Sequence, residues 1–97
     1  MNYRRLGKSG LQVSELSLGS WVTFGKQVDQ KDAIAIMKRA YEAGINFFDN
    51  AEGYEAGVSE ALMGEALASL GWSRDSYVVS SKVFWGGYSG YFADPDG

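Results

Sequence analysis

No histidine and no cysteine occur among the 97 residues, and each absence narrows the chemistry. Without cysteine there are no disulfides and no thiolate metal sites, a composition that suits a reducing compartment. Without histidine, proton transfer has to be sought among carboxylates, lysines and tyrosines. No apolar stretch approaches the roughly 18 residues of a spanning helix, and the opening MNYRRLGKSG is polar and basic, unlike the apolar centre of a signal peptide. The expectation is a soluble, cytoplasmic protein. Nor is there a basic run able to follow a phosphate backbone: nine Lys plus Arg stand against twelve Asp plus Glu, a formal net charge of -3, which argues against nucleic acid as a partner. What is present is core-forming material. Hydrophobic residues make up 45% and aromatics 14%, too much for a disordered segment, and the length suits one domain or part of one.

Strand-like and helix-like segments alternate along the chain. Tyr3 to Leu6 and Leu11 to Val13 flank the loop Gly7, Lys8, Ser9, Gly10 and predict a short hairpin over residues 1–13, with Arg4, Arg5 and Lys8 as solvated charges. Leu16 to Leu18, ending at Gly19, is a candidate first strand. From Gln30 to Ala43 the apolar positions Ala33, Ile34, Met37, Ala40 and Tyr41 recur at steps of three and four, as on one helix face, with Asp29 as the cap and Gly44 as the stop. Ile45 to Phe48 reads as a buried parallel strand. A second helix is predicted over Val58 to Leu70, with Leu62, Met63, Ala66, Leu67 and Leu70 inward and Gly71 closing it. Tyr77 to Val83 is the third strand.

That order implies a parallel sheet with right-handed crossovers, which suits an open doubly wound sheet or a barrel. Two observations favour the barrel. No strand leads through a glycine-rich GxGxxG turn into a helix, so the usual dinucleotide fingerprint is missing. In addition, Asp49 and Lys82 fall at the carboxyl ends of successive strands with Tyr54 just beyond, where barrel enzymes build their sites. The fold expected is α/β, the amino-terminal portion of a TIM (β/α)8 barrel: a hairpin plus about three strands and two helices.

Asp49, Tyr54 and Lys82 suit proton delivery to a carbonyl oxygen during hydride transfer. A neutral phenol can donate near neutral pH, a neighbouring ammonium favours the phenolate that results, and a carboxylate keeps the ammonium charged and oriented. Each also has an ordinary reading taken singly. Tyr54 is then a half-buried loop aromatic, Asp49 a turn or cap residue, and Lys82 a solvated strand end. Trp21 and Phe24 read equally as core or as binding surface. Glu60 suits the start of the second helix, where the dipole favours negative charge.

Taken in order, LGKSGLQVSELSLGSWVTFG, GINFFDNAEGY, the glutamate of VSEALMGEAL, and GWSRDSYVVSSKVFWGG resemble the amino-terminal part of an aldo-keto reductase. Within that family the likeness is to the branch of the voltage-gated potassium channel beta subunits and their bacterial relatives. Residues 14–87 correspond to the first βα units, and 88–97, YSGYFADPDG, form a divergent tail. The resemblance implies that Tyr54 is the proton donor, Lys82 the lysine that tunes it and Asp49 the aspartate paired with that lysine. It implies further that Ser20, Trp21, Gln27 and Asp49 contact an NADPH cofactor, and that the substrate is a small aldehyde or ketone. Asn50 stands where the family usually has threonine, and Gly53 where valine is common.

The family's carbonyl-orienting histidine belongs to the strand after Lys82, and its cofactor phosphate site lies later still. The chain is therefore expected to be a fragment of a longer reductase and inactive alone. A barrel takes about 250 residues, and an open third strand bearing Val78, Val79, Val83 and Phe84 invites pairing with another chain, so homo-oligomer formation stays open. Two other readings stand beside the reductase. One is a cofactor-binding interaction module that docks on a channel protein without entering the membrane itself. The other is a small non-enzymatic α/β domain.

Overall fold

The computed structural model of the chain describes residues 1–83. The expected divergent tail and Phe84 of the expected strand edge lie outside them. Two short strands, β1 (Tyr3–Arg5) and β2 (Gln12–Ser14), pair antiparallel as the predicted hairpin. A three-stranded parallel sheet follows, built from β3 (Leu18–Gly19), β4 (Phe47–Asp49) and β5 (Val78–Ser80) in the order β3-β4-β5. Helix α1 (Gln30–Glu42) joins β3 to β4, and helix α2 (Val58–Leu70) joins β4 to β5. Among the described residues no helix is long and apolar enough to cross a membrane.

The helix ends follow from local chemistry. Asp29 sits in extended backbone and its carboxylate accepts the Asp32 amide at 2.9 Å, so one orphan donor of the first turn of α1 is satisfied. At the other end Gly44 takes a φ of 101°. Its amide reaches Tyr41 O at 2.9 Å and the Ile45 amide reaches Ala40 O at 3.0 Å, the paired closure of a Schellman motif. That closure explains why β4 begins at Phe47 and not at the predicted Ile45: the Ile45 amide is held by the helix end. Asn46 is occupied too. Its Oδ1 accepts the Ser14 amide at 2.8 Å, its own amide donates to Ser14 Oγ at 3.1 Å, and its Nδ2 donates to Gln12 O at 3.1 Å, which pins the hairpin beneath the sheet.

Residues alternate between the two faces of a strand, and the register sorts them here. Phe48 lies opposite Leu18 on one side and Val79 on the other, and all three pack towards the helices. Phe48, Met37, Ala33, Ala40, Met63, Ala66 and the loop residue Phe24 form the buried core. Complete burial of a Phe or Met side chain is worth roughly 1.5–3 kcal/mol, so these few residues carry much of what holds the helices to the sheet. Trp72 extends the core at its rim, stacked on Tyr41 with ring centroids 4.0 Å apart. By the same alternation Asp49 and Ser80, paired in register, belong to the face turned away from the helices.

Two substitutions in the full-length protein test these contacts. Asn46→Ala leaves the Ser14 amide and the Gln12 carbonyl without their partner, so stability falls by about 1–3 kcal/mol and the hairpin amides exchange faster. Hydrogen–deuterium exchange with mass spectrometry reads the second effect, and unchanged hairpin protection would contradict the pinning. Gly25 has a φ of 99°, and an added Cβ would stand 2.9 Å from Val58 Cγ1. Gly25→Ala should therefore cost about 1–2 kcal/mol from the backbone alone and lower the Tm, with the steric contact adding to it; an unchanged Tm would be the contrary result.

Candidate active site

Three segments converge at the carboxyl ends of the parallel strands. Asp49 ends β4, Lys82 lies two residues beyond the end of β5, and Tyr54 opens the tight turn Tyr54–Gly57 that leads into α2. The turn uses unusual backbone: Glu55 (φ 49°) and Ala56 (φ 52°) are left-handed, and Gly57 (φ 95°) follows. Left-handed non-glycine residues cost about 1–2 kcal/mol each, and such strain clusters at functional segments. Val22, next to Trp21, is a third (φ 56°).

The Lys82 ammonium is the meeting point. Its Nζ lies 3.0 and 2.9 Å from the two carboxylate oxygens of Asp49, 2.6 Å from Asn50 O and 3.3 Å from the Tyr54 hydroxyl. An ammonium has three hydrogens, so it shares them among four oxygens. It also lies 5.0 Å from the centroid of the Tyr54 ring. Ser80 donates to Asp49 Oδ1 at 2.6 Å, a contact that the register makes natural because Asp49 and Ser80 are cross-strand partners. Ser20 is buried and its hydroxyl donates to Asp49 O at 2.9 Å, so it holds the end of β4 from the other side.

Desolvation opposes ionisation of both Asp49 and Lys82, and in both it is overcome. For Asp49, the hydrogen bond from Ser80, the hydrogen bond from Lys82 and the lysine's charge win, so the carboxyl is held below the ordinary carboxylate range. For Lys82, hydrogen bonds to Asp49 and Tyr54 and the charge of Asp49 win, so the ammonium is held above the ordinary lysine range. Both groups are thus charged at neutral pH, and each stabilises the other.

Five of the residues singled out in the sequence come together: Asp49, Tyr54 and Lys82 in direct contact, Ser20 bonded to the Asp49 carbonyl, and Trp21 stacked on Tyr54 with ring centroids 6.2 Å apart. Trp21 is 65% exposed, so its ring forms an open wall beside the phenol and not part of the core; Phe24 is the core residue of that loop. Gln27 stays on the exposed surface of the same loop, its amide bonded to Thr23 O at 3.1 Å. Ser80 and Asn50 join the site without being among the residues that the sequence pattern singles out. Ser80 had a signal, since it stands two positions before Lys82 on an extended segment and so on the same side. The role of Asn50 depends on its backbone carbonyl, which no side-chain pattern reports. Glu60 lies in the first turn of α2 as expected, and it also accepts a hydrogen bond from the Ser81 hydroxyl.

Comparison with known proteins gives the family and the fold. Residues 15–95 match the aldo/keto reductase family. Over 87 residues, 90% of the chain, the sequence is 56% identical to a rice protein named "Probable voltage-gated potassium channel subunit beta" and 55% identical to its counterpart in Arabidopsis thaliana. The chain spans 26% of the length of these curated relatives. Among solved structures, an aldo-keto reductase of Bacillus halodurans in its holo form superposes with a TM-score of 0.72 at 37% identity, covering 86% of this chain and 26% of that one. A thermostable aldo-keto reductase crystallised with the inhibitor epalrestat gives a TM-score of 0.71 at 30% identity, covering 86% and 31%. The described fold is accordingly the first part of a TIM (β/α)8 barrel, as the strand order and the strand-end residues suggested. With that architecture, and with the family match running from Glu15 to Pro95, the chain belongs to the aldo/keto reductase family.

Proposed function

We propose that the full-length protein reduces the carbonyl group of a small aldehyde or ketone, with Tyr54 as the proton donor and a reduced nicotinamide cofactor, NADPH by family resemblance, as the hydride source. The observation that carries this reading is the Lys82 ammonium in contact with the Asp49 carboxylate and the Tyr54 hydroxyl at once. A carbonyl oxygen that becomes an alkoxide needs a proton, and the phenol can give it. The phenolate left behind lies beside a full positive charge that is already in place, so little reorganisation accompanies the step. Asp49 keeps that charge oriented. General acid catalysis of this kind is typically worth about 10² to 10⁴ in rate, and the remainder is the work of holding the reactants together.

The residues present suit a nicotinamide ring. Trp21 offers an exposed aromatic face beside the donor, a surface on which a flat ring can lie. Ser20 is buried, and its hydroxyl holds the Asp49 backbone that carries the carboxylate. When bound, the cofactor supplies hydride to the carbonyl carbon. This chain's part is to present Tyr54, to keep Lys82 charged and to wall the site with Trp21.

A second reading is favoured by the names of the plant relatives: a subunit associated with a potassium channel that carries the same site. Co-expression of the full-length protein with a plant potassium channel tests it, a change in current or surface density supporting the association and no change opposing it.

Three outcomes follow for the full-length enzyme. Tyr54→Phe keeps the ring and removes the acid, so kcat for aldehyde reduction should fall about 10² to 10⁴-fold with cofactor affinity little changed. Steady-state kinetics with NADPH and a panel of aldehydes measures this, and wild-type turnover would remove Tyr54 from the role. Lys82→Met and Asp49→Asn should each lower activity, and a double-mutant cycle should show strong coupling between them; additive effects would mean that they do not act as a unit.

Stability carries the same signature in pH. Asp49, with its carboxyl held low, contributes stability that is present above the ordinary carboxylate range, about pH 4, and lost as pH falls. Lys82, held high, contributes stability that is present below the ordinary lysine range, about pH 10, and lost as pH rises through its folded value. Denaturant unfolding across a pH series should therefore show a weaker dependence at both extremes in the Lys82→Met, Asp49→Asn double variant. An identical dependence would contradict the assignment.

A further inference from the structure

Asn50 occupies the position after Asp49, and each of its polar groups has a partner. Its amide donates to Ser80 O at 2.8 Å, and its carbonyl accepts from Lys82 Nζ at 2.6 Å, the shortest contact which that ammonium makes in the described structure. The side chain is buried, with the residue 2% exposed. Its Nδ2 donates to Ser59 O at 3.2 Å and lies 3.5 Å from Met63 Sδ, while its Oδ1 accepts the Ala51 amide at 2.9 Å. Ser59 and Met63 belong to α2. The side chain thus ties the peptide that carries the Lys82 acceptor to the start of that helix.

A second tie begins one residue further along. Glu60, in the first turn of α2, accepts a hydrogen bond from the hydroxyl of Ser81, the immediate neighbour of Lys82. The same short stretch of helix therefore holds both chain segments that meet at the ammonium, one through Asn50 and the other through Ser81. Lys82 needs such a hold. Its side chain is 52% exposed and has four rotatable bonds, so its free conformations would place the charge in water. Of the groups it touches, Asp49 and Tyr54 act through side chains that can rotate. The Asn50 carbonyl is backbone on a buried residue, held by the Asn50 amide's bond to Ser80 O on the sheet side and by its side chain's bond to Ser59 O at the start of α2.

We propose that Asn50 and Glu60 are positioning residues for Lys82, and that the first turn of α2 sets the distance between the ammonium, the Asp49 carboxylate and the Tyr54 hydroxyl through them. The kinetic consequence rests on the reductase reading, whereas the effect on the lysine itself does not. Four variants of the full-length protein test the proposal: Asn50→Ala, Glu60→Ala, Glu60→Gln and, as a control for the reductase reading, Tyr54→Phe. Aldehyde reduction with NADPH is followed across pH, and the Lys82 titration is followed by the ¹³Cε chemical shift in lysine-labelled protein.

Asn50→Ala should lower kcat about tenfold or more with the carbonyl KM within about twofold of wild type, and Glu60→Ala should lower kcat several-fold in the same pattern. Both should displace the basic limb of the kcat profile and bring the Lys82 titration down towards the ordinary lysine range. Glu60→Gln, whose amide oxygen still accepts from Ser81, should restore most of the loss. A role confined to stability would lower the Tm without moving the pH limb or the lysine shift. Wild-type kcat together with a wild-type Lys82 titration in either alanine variant overturns the proposal. If Asn50→Ala does not fold, the Glu60→Ala and Glu60→Gln pair decides by the same criteria. If Tyr54→Phe retains full activity the reductase reading fails, and the Lys82 titration in the alanine variants still decides this proposal.

Discussion

One ammonium group organises the carboxyl end of this sheet. Lys82 draws an aspartate from one strand, a backbone carbonyl from the following residue and a phenol from a turn into a single hydrogen-bonded group, with all four oxygens within 3.3 Å of its nitrogen. Removing the charge would leave Asp49 with Ser80 as its hydrogen-bond donor from β5, and would leave the Tyr54 hydroxyl without the cation beside it. The exposure of the lysine matters as much as its contacts. A half-exposed lysine is charged at neutral pH in any case, and its partners hold it further above the ordinary lysine range, so the charge sits beside the Tyr54 hydroxyl.

The rest of the fold serves this juxtaposition through strand register. Phe48 facing the helices forces Asp49 to the other side, and Val79 facing the helices does the same for Ser80, so burying two apolar side chains aims two polar ones at one place. A one-residue slip in either strand would bury the carboxylate or separate it from the serine. The strands are short, two or three residues each, and the helices supply the rigidity that they lack. Phe24 joins the core from the loop that carries Trp21, so the aromatic wall of the site is anchored to the same core as the sheet.

Much of this was legible in the sequence, and what was not has a physical cause. The two helices were read almost to the residue because their boundaries are local: Asp29 caps one, Gly44 and Gly71 take left-handed φ values, and the apolar positions repeat at helical steps. Strand limits were less clear. β4 starts late because the closing motif of α1 takes the Ile45 amide and the hairpin takes Asn46, and neither competition shows in hydrophobic pattern. Asp49, Tyr54 and Lys82 were identifiable from their residue types at strand ends together with the family resemblance. Asn50 and the Ser81 to Glu60 tie were not, since they depend on a backbone carbonyl and on contacts across 21 and 32 positions of chain.

The hydrogens of Lys82 decide whether its ammonium joins Asp49, Asn50 and Tyr54, and neutron diffraction from deuterium-exchanged crystals of the full-length protein shows them directly. The expected map has three deuterons on Nζ, directed at the Asn50 carbonyl, the Asp49 carboxylate and the Tyr54 oxygen, with Asp49 unprotonated and a deuteron on the Tyr54 hydroxyl. A neutral Lys82, a protonated Asp49, or an ammonium turned to solvent and away from Tyr54 would contradict it.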